Sequence, residues 1–365
     1  MLPEQTKLMC ILLDFHAMTR QQIQRAQLRH HGDVDAIPGL ADFAVNVRLD
    51  RPPGWLRDRL AAALDRLGGY PSEAEDLAAR RAVATRHGRE PDEVLVLNGA
   101  AEGFALLPEL ASELSAVVHP SFTEPEVALA DAGVPVHRVQ LAAEDGYQLR
   151  PGLVPDEADL VVVGNPTNPT SVLHPARVLT ELARPGRVLV VDEAFMDAVP
   201  GEPESLAATR VPGLIVLRSL TKTWALPGLR AGYAIAEPDL LARLGRRRPQ
   251  WPVGTLALEA VRACSEPAAV AEAEAAAIEL VTHRVELAAA LAALPGVEVH
   301  DPASAPFLLL RVKDGEHVRR ALRDRGFAVR RGDTFPGLGA DHLRVAVRSP
   351  QRCAPLIVAL REVLA

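Results

Sequence analysis

The strongest constraint on the fold of this chain is a set of short apolar runs that do not alternate with polar residues. They cover residues 94–97, 116–118, 160–163, 188–191 and 214–217, and consist of Val, Leu and Ile with a single alanine. A strand with one wetted face alternates, so these runs read as strands buried on both faces, as in a parallel sheet. Helix-like stretches at 101–110, 124–132 and 175–183 separate several of them. Alternation of this kind predicts an α/β fold, a doubly wound, mainly parallel sheet with helices on both faces. Its binding residues belong just past the C-terminal strand ends, after Leu97, Val118, Val163, Val191 and Leu217.

The chain continues well past these runs. At 365 residues it exceeds one compact core, so a second lobe is expected. An alanine- and glutamate-rich stretch over 267–294 reads as one long helix. The segments 307–312, 317–325, 328–330 and 342–347 then predict a smaller α+β domain, with a cleft between the lobes.

A net charge of −7 and a pI near 5.9 argue against nucleic acid or an anionic membrane as partner. Arg243 and Arg246-Arg247-Arg248 form the basic cluster, read as a solvated helix end or a subunit contact. Cys10, Cys264 and Cys353 are scattered and odd in number, which fits a reducing cytoplasm and no metal pair. The run 8–13 is too short to span a bilayer, and Met18 is a candidate start. His30-His31 reads as a loop, not a ligand site.

The chemical words fall at the strand ends. Asn98-Gly99-Ala100-Ala101 opens a helix with small residues whose amides can approach an anion. Phe122, after the next strand, either lies flat on an aromatic ring or packs in the core. Asn165-Pro-Thr-Asn168 stiffens a loop and offers an amide donor. Asp192 follows Val191 and sets a carboxylate at the floor of a site. The last word runs from Ser219 through Thr221 and Lys222 to Arg230: an amine, hydroxyls and a guanidinium. A lysine amine forms Schiff bases with aldehydes, and arginine with hydroxyls suits a phosphate.

In order and approximate spacing these words resemble the pyridoxal phosphate (PLP)-dependent aminotransferases of fold type I, the aspartate-aminotransferase-like fold, over roughly 32–348. The resemblance implies PLP as cofactor, with Lys222 as its Schiff-base lysine and proton shuttle. It sets Asp192 at the pyridine nitrogen and Asn168 at the ring oxygen. Ser219, Thr221, Arg230, Gly99 and the amides of Ala100 and Ala101 would surround the phosphate. Tyr70 looks like the tyrosine that reaches the phosphate held by a neighbouring subunit, which implies a homodimer with shared sites. Phe195 departs from members that carry a tyrosine there. The expected division is an N-terminal extension (1–18), an arm joining the small domain (19–50), a large PLP-binding domain (51–260) and a small domain (261–365).

Arg344 resembles the family arginine that pairs with a substrate carboxylate or equivalent anion, and Arg330 and Arg331 are expected near the same mouth. Asn46 and Arg48 are further substrate-side candidates. Clustered arginines fit a phosphorylated amino compound. The wording is closest to the histidinol-phosphate aminotransferases and to the threonine-phosphate decarboxylases of cobalamin synthesis. Transamination with a 2-oxo acid is the leading expectation. Decarboxylation stays open, because no word fixes which α-carbon bond stands perpendicular to the cofactor ring. A non-catalytic regulator is disfavoured by the presence of Lys222 and the absence of a basic DNA-binding segment.

Overall fold

The computed structural model describes residues 25–111 and 113–365; the 8–13 run, Cys10, Met18 and the 1–18 extension lie outside them. The strands in chain order are β1 (Ala41–Phe43), β2 (Val94–Leu97), β3 (Ser115–His119), β4 (Val136–Gln140), β5 (Leu160–Gly164), β6 (Val188–Asp192), β7 (Leu214–Ser219), β8 (Gly232–Ile235), β9 (Val297–Val299), β10 (Phe307–Val312), β11 (Phe327–Arg331) and β12 (His342–Ala346). They form a seven-stranded sheet, β2-β8-β7-β6-β5-β3-β4, and a five-stranded sheet, β1-β11-β12-β10-β9.

The apolar runs are continuous because each supplies two cores at once. Val161, Leu189 and Val216 point into one buried cluster, while Val162, Val190 and Ile215 point into another on the opposite face. Neighbours β5, β6 and β7 pair in parallel and end together at Gly164, Asp192 and Ser219, so side chains from separate words meet at one rim.

Two strands of this sheet escaped the sequence. Val136–Gln140 is an edge strand, half-exposed and polar at His137, Arg138 and Gln140. Gly232–Ile235 inserts antiparallel between β2 and β7. It needs Gly232, since a Cβ there would lie 2.6 Å from the Arg218 carbonyl oxygen.

The five-stranded sheet borrows β1 from the N-terminal side, paired in parallel with β11. The 26-residue helix Pro267–Ala292 links the two cores. Ala269 and Ala273 pack on the large-sheet cluster, Leu287 and Leu291 on the small-sheet cluster. Removing a buried leucine such as Leu291 from this second cluster costs about 2–5 kcal/mol.

The basic cluster is not uniformly solvated. Arg246 and Arg247 reach Glu109 from the surface, whereas Arg248 is largely buried against Glu102 and donates to the Val96 carbonyl. Cys264 and Cys353 are free, buried thiols.

Candidate active site

A cavity of about 460 Å³ opens where the ends of the large sheet face β11, β12 and the N-terminal arm. Its walls bring together Asn46, Ala100, Ala101, Phe122, Asn168, Asp192, Ser219, Thr221, Lys222, Arg230, Arg330 and Arg344, residues spread over some 300 positions of chain.

The large-sheet half is built from groups lacking partners. Gly99 has φ +74, and a Cβ there would sit 3.0 Å from the Arg230 guanidinium, so glycine lets the two approach. The helix that follows, Ala100–Leu106, begins with amides that have no intrahelical acceptor. Among the described residues the Thr221 hydroxyl is buried with no hydrogen-bond partner, and Arg230 is committed only to a long 3.4 Å contact with the Pro227 carbonyl. An orphan hydroxyl, free guanidinium N–H groups and helix-start amides on one wall fit a phosphate.

Burial raises the Asp192 carboxyl to about 7, against the Ala194 N–H that it accepts at 3.1 Å, while the charge of Glu193 raises it further. A protonated ring nitrogen is the counter-charge this carboxylate lacks. Burial likewise brings the Lys222 amine down to about 8, helped by Arg344 and Arg230. Phe122 lines the cavity, tilted against Phe104 and against His31, whose ring lies 5.1 Å away. These features fit PLP.

The other half is already engaged. Buried Arg344 donates to the Asn168 side-chain oxygen at 2.5 Å and to the Ala44 carbonyl, leaving its Nε unpartnered. Because Oδ1 of Asn168 faces this cation, its amide hydrogens are free for another acceptor. The Arg344 guanidinium also sits 5.2 Å from the Phe307 ring, which packs edge-on against Phe195. Arg330 donates to the His30 carbonyl and the Thr334 hydroxyl, both at 2.6 Å, and lies 3.6 Å from Asp35. Burial lowers Arg344 to about 9 and Arg330 to about 10, shifts that an arriving anion would reverse.

Three expectations need correction. Arg331 does not line the cavity; it closes on Asp333 two residues away, because alternate residues of β11 face opposite sides. Arg48 does not line this cavity either; with Arg348 it lines a neighbouring one of about 40 Å³ that shares Asn46, Phe195 and Lys222 with it. His31, read as part of an idle loop, lines the main cavity and meets Glu124 at 2.6 Å. Asp33 and Phe335 join it there. Tyr70 lies outside its own chain's cavity, 74% exposed and stacked on Trp251 with 4.1 Å between ring centroids.

A large, mainly parallel sheet with its cavity at the strand ends, joined to a smaller mixed sheet, is the aspartate-aminotransferase-like type I fold. The chain belongs to the class I and II aminotransferase family, whose model matches residues 42–360. A histidinol-phosphate aminotransferase of Mycobacterium tuberculosis is 57% identical over 88% of each chain. The threonine-phosphate decarboxylase of Salmonella typhimurium is 32% identical over 89% of this chain and 91% of its own. In fold, the histidinol-phosphate aminotransferase of Clostridium acetobutylicum superposes with a TM-score of 0.80 at 22% identity, covering 88% of this chain and 98% of that one.

Proposed function

We propose that the protein transfers the amino group of a small phosphorylated amine, of the histidinol phosphate type, to a 2-oxo acid. The observation that carries this reading is Arg344: a buried guanidinium with an unpartnered Nε, in the same cavity as Lys222 and beside Arg330. The 57% identical relative of the same named activity supports the choice of substrate.

The residue roles follow from the chemistry of the walls. Ser219, Thr221, Arg230 and the amides of Ala100 and Ala101 would hold the cofactor phosphate, with Gly99 keeping the wall open. Asp192 would sit opposite the ring nitrogen, Phe122 beside the ring, and the Asn168 amide at the ring oxygen, where Phe195 offers no hydroxyl. Bound there, PLP supplies an electron sink for negative charge at the substrate's α-carbon. An amine brought down to about 8 is partly neutral near pH 7, so Nζ of Lys222 can take the α-proton and return it elsewhere. Arg344, Arg330 and Asn46 orient the substrate's anionic groups, and water is excluded as the arm and small sheet close the cleft.

The exposed Tyr70 and Trp251 pair supports a homodimer in which Tyr70 reaches the partner's phosphate. Among the described residues no helix is long and apolar enough to cross a membrane. A cytoplasmic enzyme with no nucleic-acid partner is the matching reading.

The test is incubation with histidinol phosphate and 2-oxoglutarate, and separately with threonine phosphate. Glutamate formed in the first mixture supports the proposal. CO2 released from threonine phosphate, with no glutamate from either, overturns it in favour of the decarboxylase chemistry named for the Salmonella relative.

A further inference from the structure

The lysine sits in an irregular turn between β7 and β8, where no ladder holds its backbone. The carbonyls of Lys222 and Thr223 instead accept from one residue of the N-terminal arm. The Arg48 amide donates to the Lys222 oxygen at 2.9 Å, and the Arg48 side chain donates through Nε to the Thr223 oxygen at 3.0 Å. The same guanidinium stands 5.9 Å from the Trp224 ring, so the side chain meets Thr223 and Trp224 while the Arg48 amide holds Lys222.

The arm that carries Arg48 is itself fastened at the other end. The Ala44 carbonyl accepts from Arg344, while the carbonyls of Asp42, Val45 and Val47 accept from Arg348 just beyond β12. Residues 42–48 thus form a strap from the arginines of the small sheet to the turn bearing the lysine. The turn's remaining ties are its own backbone bonds, such as the Leu226 amide to the Thr221 carbonyl, and the Thr223 hydroxyl, which donates to Asp197 at 3.3 Å. The Arg48 guanidinium lines the small neighbouring cavity and not the substrate cavity.

We propose that Arg48 is a positioning residue, which sets the Lys222 amine by holding the carbonyls of Lys222 and Thr223 from the arm. This rests on the role given to Lys222 above. A buried carbonyl that loses its donor shifts toward water or another partner, and a displacement of the order of 1 Å at a reacting group costs roughly 100-fold in rate.

The test uses the full-length PLP-loaded protein with Arg48→Met, which keeps the apolar stem, and Arg48→Lys, which keeps the charge but not the planar Nε donor. Readouts are kcat, KM and the pH titration of the absorbance band of lysine-bound PLP, with thermal melting as a check on folding. Arg48→Met is expected to lower kcat by roughly 10- to 100-fold with KM within about 2-fold, and to shift the band's titration, because the amine is displaced while the substrate arginines are untouched. Arg48→Lys should recover only part of both. A raised KM with unchanged kcat would make Arg48 a substrate contact and overturn the inference. So would two folded variants with wild-type kcat and titration. If the Met variant melts early, the Lys variant alone decides, since it must still shift the titration. Absence of the band in the wild type would instead strike the proposed function itself.

Discussion

The two walls of the cavity are prepared in opposite ways. On the large-sheet side, groups wait with few or no partners among the described residues: the Thr221 hydroxyl, the first amides of Ala100–Leu106, and a buried Asp192 with one backbone donor. On the small-sheet side, the arginines are already bound to the protein's own oxygens, Arg330 to His30 and Thr334, Arg344 to Asn168 and Ala44. A site with unpaired donors in low dielectric binds its ligand by satisfying them, so the cofactor wall is selective by construction. A site whose cations are pre-paired binds by exchange, and selects the anion able to displace or share those contacts. On the proposed reading, the cofactor stays on the first wall and substrates turn over on the second.

The largest effect should come from the residue that belongs to both. Lys222→Ala is expected to lower kcat/KM by three to four orders of magnitude or roughly that, measured in the glutamate-forming assay. Next, Arg344→Ala should lower kcat/KM for the phosphorylated amine about 100-fold while the PLP absorbance band stays intact. A lost band would move Arg344 to the cofactor wall and break the comparison. Tyr70→Phe should weaken PLP about 10-fold in a dialysis measurement, as removal of one hydrogen bond to a charged phosphate does, and only if the dimer shares its sites.

The smallest effect is one of stability and pH. Because the folded amine of Lys222 is depressed from 10.5 to about 8, the folded cofactor-free protein resists a proton that the unfolded chain accepts. The resulting penalty is complete below pH 8 and fades as pH rises toward 10.5. Cofactor-free Lys222→Met should therefore melt a few degrees above wild type at pH 7, with the gap closing near pH 10. An equal gap at both pH values would mean the lysine is not desolvated.

The two walls also differ in how readable they were. Each cofactor group lies within a few residues of a strand end, so Asn168, Asp192 and the Ser219–Arg230 stretch could be read as contiguous words. The substrate wall is assembled across long separations: Arg330 meets His30 from 300 positions away, and Arg344 meets Asn168 from 176. No local pattern reports such pairings, so the sequence does not show that His31 lines the main cavity, that Arg331 turns away from it, or that Arg48 lines the neighbouring one. Within the fold, buried runs were legible because two cores demand continuous apolar residues. Val136–Gln140 was hidden because an edge strand tolerates His137, Arg138 and Gln140.

Every role proposed for the site depends on Lys222 carrying the cofactor. The chain has three lysines, Lys7, Lys222 and Lys313, so borohydride reduction of the PLP-loaded protein followed by peptide mapping has few possible answers. A pyridoxyl group is expected on Lys222 and on neither of the others. A label on Lys313 or Lys7, or an unlabelled Lys222 in protein that holds PLP, would contradict it.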